Sequence, residues 1–186
     1  METELIKETT LSVGTTLNSS NSGSYIIFVV EDSEICRMLL DRFLTKMANS
    51  NLSQKPNCVV HSFASGEECV KHLSEKPDIV VLDYFLNEKN PDAMNGLELL
   101  KEIKKHSPQT EVLVLSEQEN VLVTAEFFNQ GASQYISKEP QGENRIQNAV
   151  LDTIHKIDKK RILQRNKIII VVVLLLAGIV IGAILL

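Results

Sequence analysis

Short, nearly uninterrupted apolar runs recur along the chain: Tyr25–Val30, Cys58–Val60, Ile79–Leu82, Val112–Leu115 and a weaker Gln134–Ile136. A strand with one wet face alternates apolar and polar residues. Runs that are apolar at every position instead predict strands covered on both faces. Between them the spacing turns helical. Ile35, Leu39, Phe43 and Met47 form one stripe, Leu100 and Ile103 open a second, and Val121, Ala125 and Phe128 a third. Ser65 with Glu68 has the S-x-x-E form of a helix start, and Gly131 suits a helix stop. Strand and helix alternate five times within about 130 residues, which predicts a doubly wound parallel α/β domain with right-handed crossovers. A last helix, from about Glu143 to Ile157, carries Ile146, Val150, Ile154 and Ile157 on one face.

The two ends of the chain differ from this body. From Thr9 to Ser24, 13 of 16 residues are Ser, Thr, Asn or Gly, so residues 1–24 are expected to form a flexible tail. At the other end, Ile168 to Leu186 is 19 residues without a charge, 15 of them Ile, Val or Leu. As a helix it would span about 28 Å, close to the ~30 Å hydrocarbon core of a bilayer. Residues 168–186 are therefore expected to form a transmembrane helix, a C-terminal anchor with nothing after Leu186. Gly178 and Gly182 make a GxxxG, a weak helix-pairing signal that points to a homodimer.

Charge sharpens the division. The formal net charge is −5, from 19 Lys and Arg against 24 Asp and Glu. Lys156, Lys159, Lys160, Arg161, Arg165 and Lys167, with the single acid Asp158, put +5 into one segment and leave −10 elsewhere. An acidic body argues against nucleic acid as a partner. The basic residues 158–167 read as a juxtamembrane segment that places the folded domain, 25–157, on the cytoplasmic side of the cell membrane and attracts anionic headgroups. Three cysteines, Cys36, Cys58 and Cys69, have neither disulfide-framework nor zinc spacing and are expected to be reduced thiols.

In an open parallel sheet ligands bind beyond the carboxyl ends of the strands. The polar residues there are Glu31 and Asp32 after the first run, Asp83 after the third, Ser116 after the fourth and Lys138 near the fifth. Adjacent first and third strands would bring three carboxylates together. Each like-charge pair at ~5 Å costs roughly 3 kcal/mol at an effective dielectric of ~20. A hard, oxygen-preferring cation, Mg²⁺ above all, is the expected compensation, with Lys138 adding positive charge. The first turn is Glu-Asp-Ser-Glu, which repels a bare phosphate.

On these residues the chain resembles the receiver domain of two-component response regulators. The resemblance covers about Tyr25 to Ile157. It rests on Val30-Glu31-Asp32 with Arg37, Ile79-Val-Val-Leu-Asp83, Met94-Asn-Gly96-Leu97-Glu98, Val114-Leu-Ser116 and Tyr135-Ile-Ser-Lys138, in that order. It implies a flavodoxin-like sheet of order 2-1-3-4-5. It also implies that Asp83 accepts a phosphoryl group from the phosphohistidine of a histidine kinase or phosphotransfer protein. Asp32, Asp83 and the Phe85 carbonyl would hold Mg²⁺, with Glu31 acting through water. Lys138 and Ser116 would contact the phosphoryl oxygens, and Tyr135 would be the switch aromatic. Such a protein is a phosphoacceptor rather than a turnover enzyme, and its output would pass through a downstream protein.

Three features depart from the family pattern. The loop Asn87–Asp92 is long, Glu117 stands where a small residue is usual, and Lys138-Glu139-Pro140 replaces Lys-Pro. They keep open a phosphorylation-independent pseudo-receiver that binds a protein at the membrane. A metal-dependent aspartyl-phosphate hydrolase is a third reading, disfavoured because Phe85 stands where such enzymes carry a second acid. Taken singly, Asp32 and Ser116 are ordinary helix caps.

Overall fold

The computed structural model describes residues 24–49, 56–86, 90–117, 121–138 and 142–185. The expected tail lies outside these residues except for Ser24, as do 87–89 of the long loop, 118–119 of the Ser116 capping box, and Glu139 and Pro140.

Five strands, β1 (Tyr25–Val30), β2 (Cys58–Phe63), β3 (Ile79–Asp83), β4 (Glu111–Ser116) and β5 (Gln134–Ser137), form one parallel sheet in the order β2-β1-β3-β4-β5. They are joined by α1 (Glu34–Asn49), α2 (Gly66–His72), α3 (Gly96–His106) and α4 (Val121–Asn129), and α5 (Gly142–Leu185) follows β5. The fold is the doubly wound α/β sandwich read from the alternation. Both sheet faces are covered over β1, β3 and β4, which is why their apolar runs do not alternate, whereas Val59 on the edge strand β2 is 45% exposed. Ile27 and Val29 of β1 point into one core with Leu44 and Met47 of α1 and Ile146, Val150, Ile154 and Ile157 of α5. Phe28 and Val30 point into the other, with Leu99, Leu100 and Ile103 of α3 and Phe127 of α4.

Two helical stripes are corrected. On α1 the buried side is Leu40, Phe43, Leu44 and Met47, whereas Ile35 and Leu39 are 73% and 59% exposed. Residues four apart turn 40° further round a 3.6-residue helix at each step. A stripe that faces the core at Met47 has therefore left it three steps earlier, at Ile35. On α4 Phe127 is buried, while Val121 and Phe128 are 82% and 47% exposed.

Helix ends follow their local chemistry. Ser65 caps α2 by accepting from the Glu68 backbone N–H. After α4, Gly131 at φ +95° donates to the Phe128 carbonyl and Ala132 to that of Phe127, a left-handed exit that favours glycine.

α5 has 44 residues and no break. It is long and apolar enough to cross a membrane, and none of its most apolar stretch packs against the domain. Gly178 and Gly182 lie within it. Its packed part ends in a set of polar contacts unforeseen from the sequence. The Tyr25 hydroxyl donates to Asp158, Arg161 pairs with Asp78, and Lys156 and Lys160 reach Glu111 at 3.1 and 2.6 Å. Three of the six bases between Lys156 and Lys167 thus pair with acids of the folded domain.

Glu111 is buried and also accepts from the Ser133 hydroxyl. Burial pushes its pKa up, but the bonds from Lys160, Ser133 and Lys156 outweigh that and lower it to about 2. A depressed carboxylate stabilises the fold above its ordinary pKa and loses that contribution as pH falls through the folded value. Glu111→Gln is accordingly expected to cost on the order of 2 kcal/mol at pH 7, after a discount for the half-exposed lysines, and much less by pH 2. Denaturant melts of both proteins across that range read the difference. It also cancels the opposite contribution of Glu31, whose pKa is raised.

Candidate functional site

The parallel sheet puts every strand's carboxyl end on one edge, and β1 beside β3 is the point where the winding reverses. Glu31 and Asp32 follow β1 there, and Asp83 is the last residue of β3. Oxygen atoms of the three carboxylates lie within 4.8 Å of one another. Lys138, one residue past β5, places Nζ 2.7 Å from Asp83 Oδ1 and 2.8 Å from Glu31 Oε2. Glu31 and Asp83 are buried, and the Lys138 side chain is 18% exposed.

The backbone holds these groups in place. The Lys138 N–H donates to the Ser116 carbonyl at 2.7 Å, and the Tyr84 N–H to that of Leu115 at 2.9 Å. The Ser33 N–H donates to Glu31 Oε1, and Arg37 Nη1 to the Glu31 carbonyl at 2.8 Å. In the sequence Arg37 stands out only as part of the Val30-Glu31-Asp32 motif. Its task is to pin the β1–α1 turn, and no local pattern reveals a side chain reaching back to a backbone carbonyl.

Burial and charge together set the pKa directions. Burial raises Glu31; the Lys138 hydrogen bond lowers it, and the Asp83 charge raises it again, leaving Glu31 above the usual carboxylate range. Burial lowers Lys138, but its bonds to Asp83 and Glu31 together exceed that and hold it above its ordinary value. Three acids facing one lysine leave the pocket with net negative charge.

The remaining candidates sit around this cluster. Ser116, fully buried, ends β4 one residue beyond Leu115, the register partner of Asp83. Phe85 lies two residues past Asp83, its ring edge-on to Tyr84 at 4.3 Å. Tyr135, on β5, is half-buried and edge-on to Phe127 at 6.3 Å. With Val121, Ala125, Phe128 and Ser137 it lines a surface cavity of about 420 Å³. The structure therefore brings Glu31, Asp32, Asp83 and Lys138 into one pocket, places Ser116 and Phe85 on its strand ends, and sets Tyr135 to the side. Glu117 is exposed.

Gly96 was visible in the sequence, but its reason was not. A Cβ there would lie 2.8 Å from the Asp83 carbonyl oxygen and 2.9 Å from that of Tyr84. The start of α3, capped reciprocally by Asn95 and Glu98, is pressed against the loop that carries the central carboxylate. Gly96→Ala must push that loop away, at a cost of about 1–3 kcal/mol. Its expected signature is a lower melting temperature together with weakened divalent-cation binding, read by calorimetry.

The carboxylate set fits a hard divalent cation, since its donors are oxygens close enough to share one ion and Lys138 neutralises only part of their charge.

Comparison with known proteins gives the same picture. The family model of the response regulator receiver domain matches residues 27–151. The chain is 28% identical over 134 residues to the chemotaxis protein CheY of Thermotoga maritima, covering 72% of this chain and 97% of that one. It is 30% identical over 115 residues to the transcriptional regulatory protein CssR of Bacillus subtilis, covering 62% of this chain but 45% of CssR. Among solved structures, the signal receiver domain of a putative LuxO repressor protein from Vibrio parahaemolyticus superposes with TM-score 0.62 at 18% identity, over 76% of this chain and 98% of that one. A response regulator receiver domain from Clostridium thermocellum gives 0.59 at 20% identity, over 72% and 97%. With its sheet order, strand-end acids and lysine in place, the chain belongs to the receiver-domain family of two-component response regulators.

Proposed function

We propose that this receiver is tethered to a membrane by residues 168–186 and accepts a phosphoryl group on Asp83 from a kinase or phosphotransfer-protein phosphohistidine. The supporting observation is the Lys138 ammonium bridging Asp83 and Glu31 beside Asp32. In this reading an Asp83 oxygen bonds to phosphorus as the donor P–N bond breaks. The imidazole leaves with that electron pair and takes a proton from solvent. Lys138 meets the incoming phosphoryl oxygens, and the Ser116 hydroxyl donates to one of them. The chain contributes position and charge rather than further covalent chemistry, as is usual for phosphoryl transfer. Glu31, Asp32, Asp83 and the Phe85 carbonyl would hold Mg²⁺, which when bound neutralises charge on the carboxylates and the phosphoryl group. Tyr135 and the cavity beside it serve the readout to a downstream protein.

The test is incubation of the full chain with a small phosphodonor, with and without Mg²⁺. An acid-labile modification that requires Mg²⁺ and maps to Asp83 supports the reading. No modification, with partner binding indifferent to Mg²⁺, supports the pseudo-receiver instead.

A further inference from the structure

Every helix of a parallel α/β domain runs against the strands, so helix ends of one kind collect at one edge of the sheet. Here they collect charge with them. The first turns of α1, α2 and α3 carry Glu34, Glu67, Glu68 and Glu98, on the same edge as Glu31, Asp32 and Asp83. Their last turns carry Lys46, Lys71, Lys104 and Lys105 at the opposite edge, where exposed Lys76 precedes β3. Each placement suits its own helix dipole. Their sum is a domain that is acidic at the site and basic at the far end.

Among the described residues, the acids of that far end are largely occupied. Asp78 pairs with Arg161, Glu111 with Lys156 and Lys160, and Asp158 accepts from Tyr25. Glu75 contacts His72, Glu102 lies 3.4 Å from the largely exposed Lys105, and Glu126 stands at the rim. The same contacts fix where this edge stands. They clamp α5 to the starts of β1 and β4 and to Asp78 just before β3, as far as Arg161, and the helix continues unbroken into Ile168. Seven residues at 1.5 Å each are about 10 Å. A headgroup layer is roughly 5–7 Å deep and the screening length at physiological salt is ~8 Å, so the basic edge lies within electrostatic reach of the lipid.

We propose that the amino-terminal edge of the sheet, presenting exposed Lys46, Lys76 and Lys105, is a membrane-apposed face for anionic phospholipid headgroups. The domain then stands upright on α5 with its carboxylate pocket turned away from the bilayer. From Gly142 to Ile168 the helix rises about 39 Å, which sets the height of the site. This rests on the reading of residues 168–186 as bilayer-spanning, and the charge gradient is a separate observation.

The experiment places the full chain in nanodiscs of neutral phosphatidylcholine or of phosphatidylcholine with about 30% phosphatidylglycerol, and follows amide hydrogen exchange. Segments 73–78 and 103–111 should exchange three- to tenfold more slowly on the anionic discs, and 84–86 and 90–96 should not change. The difference should vanish in 1 M KCl and in the triple variant Lys46→Gln, Lys76→Gln, Lys105→Gln. Equal exchange on both discs, protection spreading to 84–86 and 90–96, or protection that survives the triple variant overturns the proposal. Extraction of the chain from membranes by alkaline carbonate instead overturns the tether itself, and is scored separately.

Discussion

Replacing Asp83 by Asn should abolish phosphorylation by a small phosphodonor, with incorporation at least about 100-fold below the parent chain. The amide keeps the shape and burial of the side chain but supplies no anionic oxygen to attack phosphorus, so the loss is chemical rather than structural. The rest of the pocket survives the change, because Lys138 keeps its 2.8 Å contact with Glu31. Mutual repulsion among three carboxylates within 4.8 Å also falls. The variant should therefore fold and melt near the parent temperature without divalent cations. The difference should appear when Mg²⁺ is added. At ten times its dissociation constant a ligand stabilises by about 1.4 kcal/mol, worth about 3–6 °C in a chain of this size. That upward shift should shrink sharply in Asp83→Asn. Thermal melts with and without Mg²⁺, beside phosphorylation assays, separate a lost nucleophile from a broken fold. Undiminished labelling of the variant would place the acceptor elsewhere.

The second large effect concerns the apolar helix. Fifteen Ile, Val and Leu residues at roughly 0.3–0.6 kcal/mol each favour insertion by about 5–9 kcal/mol, an upper figure because it uses bilayer-centre values. Val173→Arg with Leu176→Arg adds two charges near the middle of the stretch. Each costs roughly 2.5–3.5 kcal/mol and removes an apolar gain, so the pair shifts the balance by about 6–8 kcal/mol. The doubly substituted chain should move from the membrane pellet to the supernatant on fractionation. Neither position contacts the folded domain, as both are more than 45% exposed, so phosphorylation of Asp83 should persist. Retention in the pellet after carbonate washing would show that residues 168–186 are not the anchor.

Much of this architecture was legible in the residues themselves. Strands β1, β3 and β4 announce themselves because both sheet faces are covered, and burial on two sides leaves no polar positions to interrupt the run. The Ser65 cap and the Gly131 exit were legible for the same reason: each satisfies a constraint within four residues of itself. Helix faces are less legible. On α1 the rotation of a four-residue repeat carries Ile35 and Leu39 out of the core, and on α4 it is Phe127 rather than Phe128 that packs inward. Spacing shows that a helix has an apolar side, whereas the neighbouring elements select which residues occupy it.

The sequence by itself determined the element order, the apolar helix and the residue types at the strand ends, since each follows from local periodicity or composition. Only the tertiary structure decided which charges meet. Lys138 reaches Glu31 across 107 positions, and Arg161 reaches Asp78 across 83. No short-range pattern encodes such pairings, because they depend on how the parallel crossovers bring separate strand ends to one edge. The same closure turns part of a basic stretch into internal clasps on Glu111 and Asp78, and sets the domain's acidic and basic ends at opposite poles of one helix-borne body.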